Sequence, residues 1–190
     1  MEDKMLNEKE SLELISRMIQ NTRNRMVESA GTPFLIWGYA TVAISLIIWY
    51  LVTETGNYQW HFLWFLLPAI GVPATYLSNR KRKPQAKTYV DRVVSSVWVV
   101  FGGVAFAVSV VSFVRPLPIL FFILLLMGMG TVLTGSVIRF RAVVAGGLLG
   151  MLSSLACLWI EGADQILVFA AVFVFMMIIP GHILNRAASK

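Results

Sequence analysis

Six long apolar stretches dominate the pattern of hydrophobic and polar positions along the chain. None of the six contains Asp, Glu, Lys or Arg, and each is close to the roughly 20 apolar residues that a membrane-crossing helix needs. Strands of a membrane barrel alternate polar and apolar residues over about ten positions, whereas these stretches are continuous. The pattern therefore predicts six transmembrane helices, at about residues 33–52, 60–77, 93–113, 119–138, 142–160 and 165–184.

The first 32 residues are polar and predict a helix of another kind. Residues 5–27 contain neither Pro nor Gly, and their apolar positions recur at helical spacing in a stripe made of Leu12, Ile15, Ile19 and Met26. Gly31-Thr32-Pro33 is typical of a break before the first span. The predicted fold is all-α: a cytoplasmic amphipathic helix in residues 1–32, followed by an integral membrane bundle of six transmembrane helices in residues 33–190.

Composition and charge add an orientation to this bundle. Hydrophobic residues make up 57% of the chain and charged residues 14%, against about 45–50% and about 25% in soluble domains. With six spans, 15 of the 16 Lys and Arg residues fall on one side, and Arg115 alone falls on the other. The positive-inside rule then predicts that both termini are cytoplasmic. These basic connectors account for the net charge of +6, so the charge does not call for a nucleic acid.

The chemistry-bearing residues indicate no catalytic or metal site. His61 and His182 fall on opposite sides of the predicted bundle, and neither has a second metal-ligating residue at suitable spacing. The spans contain no carboxylate, which argues against an aspartyl protease and against proton-coupled transport. Serines inside the spans are typical of helix packing. The sequence therefore predicts a protein that is not an enzyme and has no metal or cofactor.

Two further groups of residues are candidates for contact with lipid or with other helices. The run Arg80-Lys81-Arg82-Lys83 predicts contact with anionic lipid headgroups, worth about 1 kcal/mol per charge near the membrane surface. Gly146 and Gly150 have the GxxxG spacing that lets two helix backbones approach closely. That approach can take place within one chain or between two copies.

Prolines interrupt two of the predicted spans and predict kinks there. Pro68, Gly71 and Pro73 lie in the second span, and Pro180 lies in the sixth. A proline inside a helix removes a hydrogen bond and frees a carbonyl group. The kink is either structural or the wall of a pocket lined by unwound backbone.

One part of the sequence resembles a known group of proteins. The segments Glu8–Ile15, Met18–Thr22 and Pro33–Tyr39 (PFLIWGY), with the six-span layout, resemble uncharacterised inner-membrane proteins of Bacteroides-type bacteria. The resemblance implies a bacterial inner membrane. That group has no known activity to carry over, so it implies no site.

Two hypotheses for function follow from these patterns. The first is a small non-enzymatic inner-membrane protein whose N-terminal helix, through residues 5–27, mediates self-assembly or docks a cytoplasmic protein. The other interpretation of the apolar stripe on this helix is that it lies flat on the bilayer surface. The alternative is a channel or carrier for a small neutral or lipidic substrate, with a path next to Pro68 and Pro73. The first rests on the amphipathic stripe, and the second rests on the kinked second span and the glycine-rich spans.

Overall fold

The computed structural model describes residues 8–80 and 89–188, and these residues form helices without any strand. Six helical spans are long and apolar enough to cross a membrane, which confirms the predicted all-α membrane bundle. We number them span one to span six: Ala30–Thr55, Tyr58–Arg80, Tyr89–Ser112, Ile119–Val137, Arg141–Leu158 and Asp164–Ala187. The chain therefore fits a multi-pass membrane protein.

The helices within these spans are not all regular. The α-helices are α1 (Glu8–Thr55), α2 (Leu66–Arg80), α3 (Tyr89–Ser112), α4 (Ile119–Val137), α5 (Arg141–Ser154), α6 (Asp164–Phe173) and α7 (Ile179–Ala188). Span two begins as a 3₁₀ helix, Tyr58–Phe65, and span five ends as one, Leu155–Leu158. Span six contains a π-helical turn, Val174–Ile178, between α6 and α7. Pro180, which has no N–H to donate, is the second residue after that turn.

The break predicted at Gly31-Thr32-Pro33 is wrong. Helix α1 continues through Pro33 from Glu8 to Thr55, a length of roughly 72 Å at 1.5 Å per residue. Tertiary packing accounts for this continuity, because Gly31 lies directly against Asn185 and Phe34 is buried against span six. Residues 8–29 are thus the first half of a helix that also forms span one. The side chains of Ile15, Ile19 and Met26 lie outside the described part, so the amphipathic stripe stays a prediction.

Helices α4 and α5 form the closest pair in the bundle. A Cβ atom on Gly147 would lie 2.7 Å from the Val132 backbone nitrogen and 2.8 Å from the Gly128 carbonyl oxygen. The turn between the helices places Arg139 at φ 53°, and the Phe140 amide donates to the Gly135 carbonyl at 2.8 Å. This pattern of helix ending reverses the chain within a few residues. The two helices therefore lie side by side at backbone contact, as the short Arg-Phe-Arg connector predicts.

Glycines also allow span six to pack closely against its neighbours. Gly38 of α1 lies against Ile178, and Gly181 lies against Leu35. Gly146 lies against Pro180, and Gly150 lies against Met176. Spans one, four, five and six thus form the packed part of the bundle, and the Gly146–Gly150 spacing serves packing inside the chain.

Spans two and three lie outside this packed part. In each of them 6% of the most apolar 18-residue window is buried, against 33–56% in the other four spans. Gly71 of α2 seats that helix against the Trp37 ring, and Gly130 of α4 lies against Phe101 of α3. Span two is therefore attached to span one, and span three to span four.

The α4–α5 contact allows a test of the packing. We expect Gly147→Ala to lower the free energy of unfolding by about 1–3 kcal/mol, because the added methyl group meets backbone atoms that cannot rotate away. Gly103→Ala is the matched control, since a Cβ there meets nothing within 4 Å. Thermal unfolding in detergent, followed by tryptophan fluorescence, measures both. Equal midpoints for the two variants would contradict the packing described here.

Candidate functional site

A cavity of about 1470 Å³ lies between spans two and three. Its floor comes from spans one, four and six, and its side walls come from spans two and three. Pockets for small molecules usually measure about 300–1,000 Å³, so this volume suits a larger ligand. The lining runs along nearly all of α3, which is roughly 36 Å long at 1.5 Å per residue. The cavity therefore extends through the thickness of the bundle.

The two ends of the bundle differ in charge, and we name them accordingly. The basic end holds Arg80, Arg139 and Arg186, and the distal end holds Asn57 and Arg115. The antiparallel contacts of neighbouring spans bring the members of each group to the same end.

Aromatic rings close the side of the cavity near the distal end. Phe62 and Phe65 of the 3₁₀ helix stack on Phe113, which follows α3, with centroid distances of 4.6 and 5.7 Å. Phe65 also meets Phe106 edge to face at 6.1 Å. The helix backbones of α2 and α3 do not pack on each other. Spans two and three are thus joined by side chains at the distal end and are separated by the cavity elsewhere.

Two indole groups on the cavity wall are fixed by hydrogen bonds between spans. Trp37 Nε1 donates to Thr75 Oγ1 at 3.1 Å, and Trp98 Nε1 donates to Thr134 Oγ1 at 3.1 Å. The Trp98 ring also packs edge to face on Phe34 at 6.0 Å. These bonds attach span two to span one and span three to span four while keeping both rings on the cavity wall.

Two buried polar atoms of the cavity wall have no hydrogen-bond partner among the described residues. The described residues include three buried side-chain polar atoms without a hydrogen bond: Thr41 Oγ1, Trp64 Nε1 and Trp49 Nε1. Thr41 and Trp64 both line the cavity. An unpaired buried polar group costs about 1–3 kcal/mol, so this wall is not arranged for stability alone.

The basic end of the cavity is polar and charged. Its lining there includes the side chains of Asn79, Asp91, Arg92, Ser95 and Ser96. Arg92, Ser95 and Ser96 are exposed. The distal end instead presents the phenol of Tyr58 and the ring of His61, whose Nδ1 lies 2.9 Å from the Tyr58 carbonyl oxygen. The cavity thus has charged residues at one end, mostly apolar walls in between, and a tyrosine and a histidine ring at the other.

The two prolines of span two differ in whether they border the cavity. Pro68 lines the cavity, whereas Pro73 is exposed and is absent from the lining. Gly71 is buried under Trp37, and Pro180 is buried against Gly146. The irregular backbone of span two is the 3₁₀ helix that ends at Phe65, before both prolines. The path predicted beside these two prolines stays a prediction; Pro68 borders the cavity, and α2 turns Pro73 away from it.

The other candidate residues lie apart from the cavity. Arg80 is exposed at the end of α2, and Lys81, Arg82 and Lys83 lie outside the described residues. Leu12 is exposed on α1. His182 pairs with the Tyr39 hydroxyl at 2.8 Å, at the end of the bundle opposite His61. In the described part, no three His, Cys, Asp or Glu residues lie close enough together to hold a metal ion.

Span three contributes residues that sequence reasoning missed. Its cavity face carries Ser95, Gly102, Ala105, Ser109 and Ser112, which recur at spacings of three, four and seven. The interpretation of Ser95, Ser96 and Ser109 as helix-packing residues is wrong, because they face the cavity. The periodic small and polar residues were the available signal. Such residues pack against another helix as often as they line a cavity, so the signal alone does not identify one.

No family model, curated protein or solved structure matches this chain. What the chain does is therefore inferred from the cavity and from the residues that line it.

Cysteine labelling tests which face of α2 borders the cavity. In a Cys157→Ala background, we expect Leu67→Cys to react with a charged, water-soluble thiol reagent in membrane vesicles, because Leu67 lines a cavity with polar ends. Ile70→Cys is the matched control, since Ile70 is exposed on the helix surface and is absent from the lining. Reaction rates measured by mass spectrometry compare the two. Equally slow labelling at both positions would count against a solvated cavity.

Proposed function

We propose that the protein binds a lipidic ligand in the cavity between spans two and three and carries it between the two ends of the bundle. The observation that supports this function is the cavity itself, which extends through the bundle and has apolar walls and polar ends. A ligand with a polar headgroup and an apolar tail is complementary to that lining. The proposal includes no covalent change to the ligand.

The arrangement of α2 and α3 supports entry from the membrane. Their backbones do not pack on each other, and their contact is through phenylalanine rings near the distal end. Both helices are attached to the packed part of the bundle by one face only. Movement of either helix would therefore open the cavity without disturbing the glycine contacts that spans one, four, five and six make with one another.

The proposed setting is a bacterial inner membrane with both termini in the cytoplasm. The distribution of basic residues supports this orientation, because Arg115 is the one Lys or Arg residue of the sequence that six spans place opposite the rest. The basic end of the cavity would then face the cytoplasm.

Filling the cavity tests the proposed function. We expect Gly102→Trp to remove bound lipid, because Gly102 lines the cavity and a side chain there would project into open space. Gly103→Trp is the matched control, because a Cβ there also meets nothing within 4 Å but the residue is absent from the lining. Native mass spectrometry of protein released from detergent micelles measures lipid retention, and thermal unfolding checks that both variants fold. Equal retention by both variants, or none by the unaltered protein, would refute the proposal.

A second function is favoured by the N-terminal half of α1. This segment continues the helix of span one, and Leu12 and Leu14 on it are 68% and 50% exposed. The uninterrupted helix carries the segment away from span one, which does not suit a helix lying flat on the bilayer. We propose that the predicted stripe of Leu12, Ile15, Ile19 and Met26 pairs with the same stripe of a second copy.

A charge placed on the stripe tests this pairing. We expect Leu12→Asp to reduce self-association in detergent, and the triple change of Leu12, Ile15 and Ile19 to Asp to abolish it, because buried carboxylates are not tolerated at a helix interface. Leu14→Asp is the matched control, since Leu14 is roughly 200° from Leu12 around the helix. Light scattering after gel filtration reports the mass. Unaltered mass in the triple variant would exclude the pairing.

A further inference from the structure

We infer that the ligand of the cavity is an anionic lipid, that its headgroup lies at the basic end beside Arg92, and that its tail extends toward the aromatic rings at the distal end. This inference rests on the proposed function and names the ligand class. Two observations support it: the charged residues at each end of the cavity, and the phenylalanine contacts that close the gap between the walls near the distal end.

Among the described residues, arginine lines the cavity at one end only. Arg92 is in the first turn of α3, is exposed and lines the cavity, and Arg80 is exposed in the last turn of α2. At the distal end the described lining contains Tyr58, His61, Ser109 and Ser112 but no Asp, Glu, Lys or Arg, and Arg115 is not part of it. A headgroup with a negative charge is therefore favoured at the basic end.

Asp91 is the acidic residue in this part of the lining, which therefore holds one charge of each sign, Asp91 and Arg92. Asp91 lies in the first turn of α3, where the helix dipole stabilises a carboxylate, and it has an interaction of its own. Arg80, which is exposed in the last turn of α2, adds a second positive charge at the same end but is not part of the lining. Basic groups near a membrane surface attract anionic lipid by about 1 kcal/mol per charge.

Neutral donors next to Arg92 suit the rest of a phosphate-bearing headgroup. Ser95 and Ser96 follow Arg92 by about one helical turn and are exposed on the lining, and Asn79 lies on the opposite wall. Hydroxyl and amide groups donate to phosphate and glycerol oxygens, and an arginine forms charge-assisted hydrogen bonds to phosphate. The basic end thus offers a charged donor and neutral donors on both walls.

The apolar part of the cavity suits the tail. Beyond the polar residues the walls are apolar or aromatic, with Leu67, Ile123 and Met127 among them. The contacts of Phe62 and Phe65 with Phe113 close the gap between the walls near the distal end. A tail that enters between α2 and α3 from the leaflet at the basic end therefore runs toward these rings.

Binding of defined lipids to the purified full chain tests the inference. Phosphatidylglycerol and phosphatidylcholine with the same acyl chains are titrated in detergent, and the dissociation constants are measured by native mass spectrometry. We expect phosphatidylglycerol to bind more tightly, and Arg92→Gln to weaken it about fivefold, which corresponds to the loss of one charge near the surface. Arg115→Gln is the matched control, because this arginine is exposed at the distal end and should leave binding unchanged.

Two further comparisons distinguish an anionic lipid from a soluble phosphate and from a neutral lipid. Glycerol 3-phosphate should not compete, because it lacks the tail that the apolar walls hold; effective competition would show a soluble phosphate site and overturn the lipid assignment. Equal affinity for the two lipids, or an Arg92→Gln variant that folds and binds as the unaltered protein does, would also overturn it. In those cases the loss of binding in Gly102→Trp would still support the proposed function. Failure of both lipids to bind the unaltered protein would refute the two proposals together.

Discussion

Backbone contact between glycine-lined helices is the constraint on which the rest of the bundle depends. In a bilayer the lipid tails are as apolar as the helix surfaces, so helices associate through close packing and hydrogen bonds. Gly128, Gly135 and Gly147 supply this packing for α4 and α5, and Gly146 and Gly150 supply it for span six. Gly31, Gly38 and Gly181 do the same where α1 crosses span six. Four of the six spans are drawn together by these surfaces.

The cavity exists because spans two and three lack the glycine contacts that bring the other four spans close together. In α2, one glycine makes a close contact, and in α3, Gly102 and Gly103 meet nothing at all. These helices are attached instead by side-chain contacts, which include one indole–hydroxyl bond each, Trp37 to Thr75 and Trp98 to Thr134. Span two packs on span one and span three packs on span four, and among the described residues the two outer helices meet through the phenylalanine rings near the distal end. A space open along most of the bundle is the result.

Particular residues show how far the sequence predicts this structure. The six spans could be predicted because the absence of charge over some 20 residues is a one-dimensional property that no tertiary contact has to supply. The break at Pro33 could not, because Asn185 and Leu184, which are about 150 positions away, pack against Gly31 and keep the helix continuous. The cavity could not be predicted either. The small residues of span three have the same spacing whether another helix covers them or not, and only the placement of span two decides this.

The distribution of charged residues reflects membrane topology, but one of these residues, Arg92, also lies on the cavity wall. Exclusion of charge from the spans and its concentration on one side follow from membrane insertion alone, and need no ligand. Arg92 differs from the other basic residues because it lies inside a span as the structure defines it and also on the cavity wall. A residue required only for topology has no reason to face a cavity. Thr41 and Trp64, whose buried polar atoms lack partners on the same wall, are likewise unfavourable for stability. Unfavourable polar groups of this kind are expected at a functional site, because a protein selected for stability alone would pair or remove them.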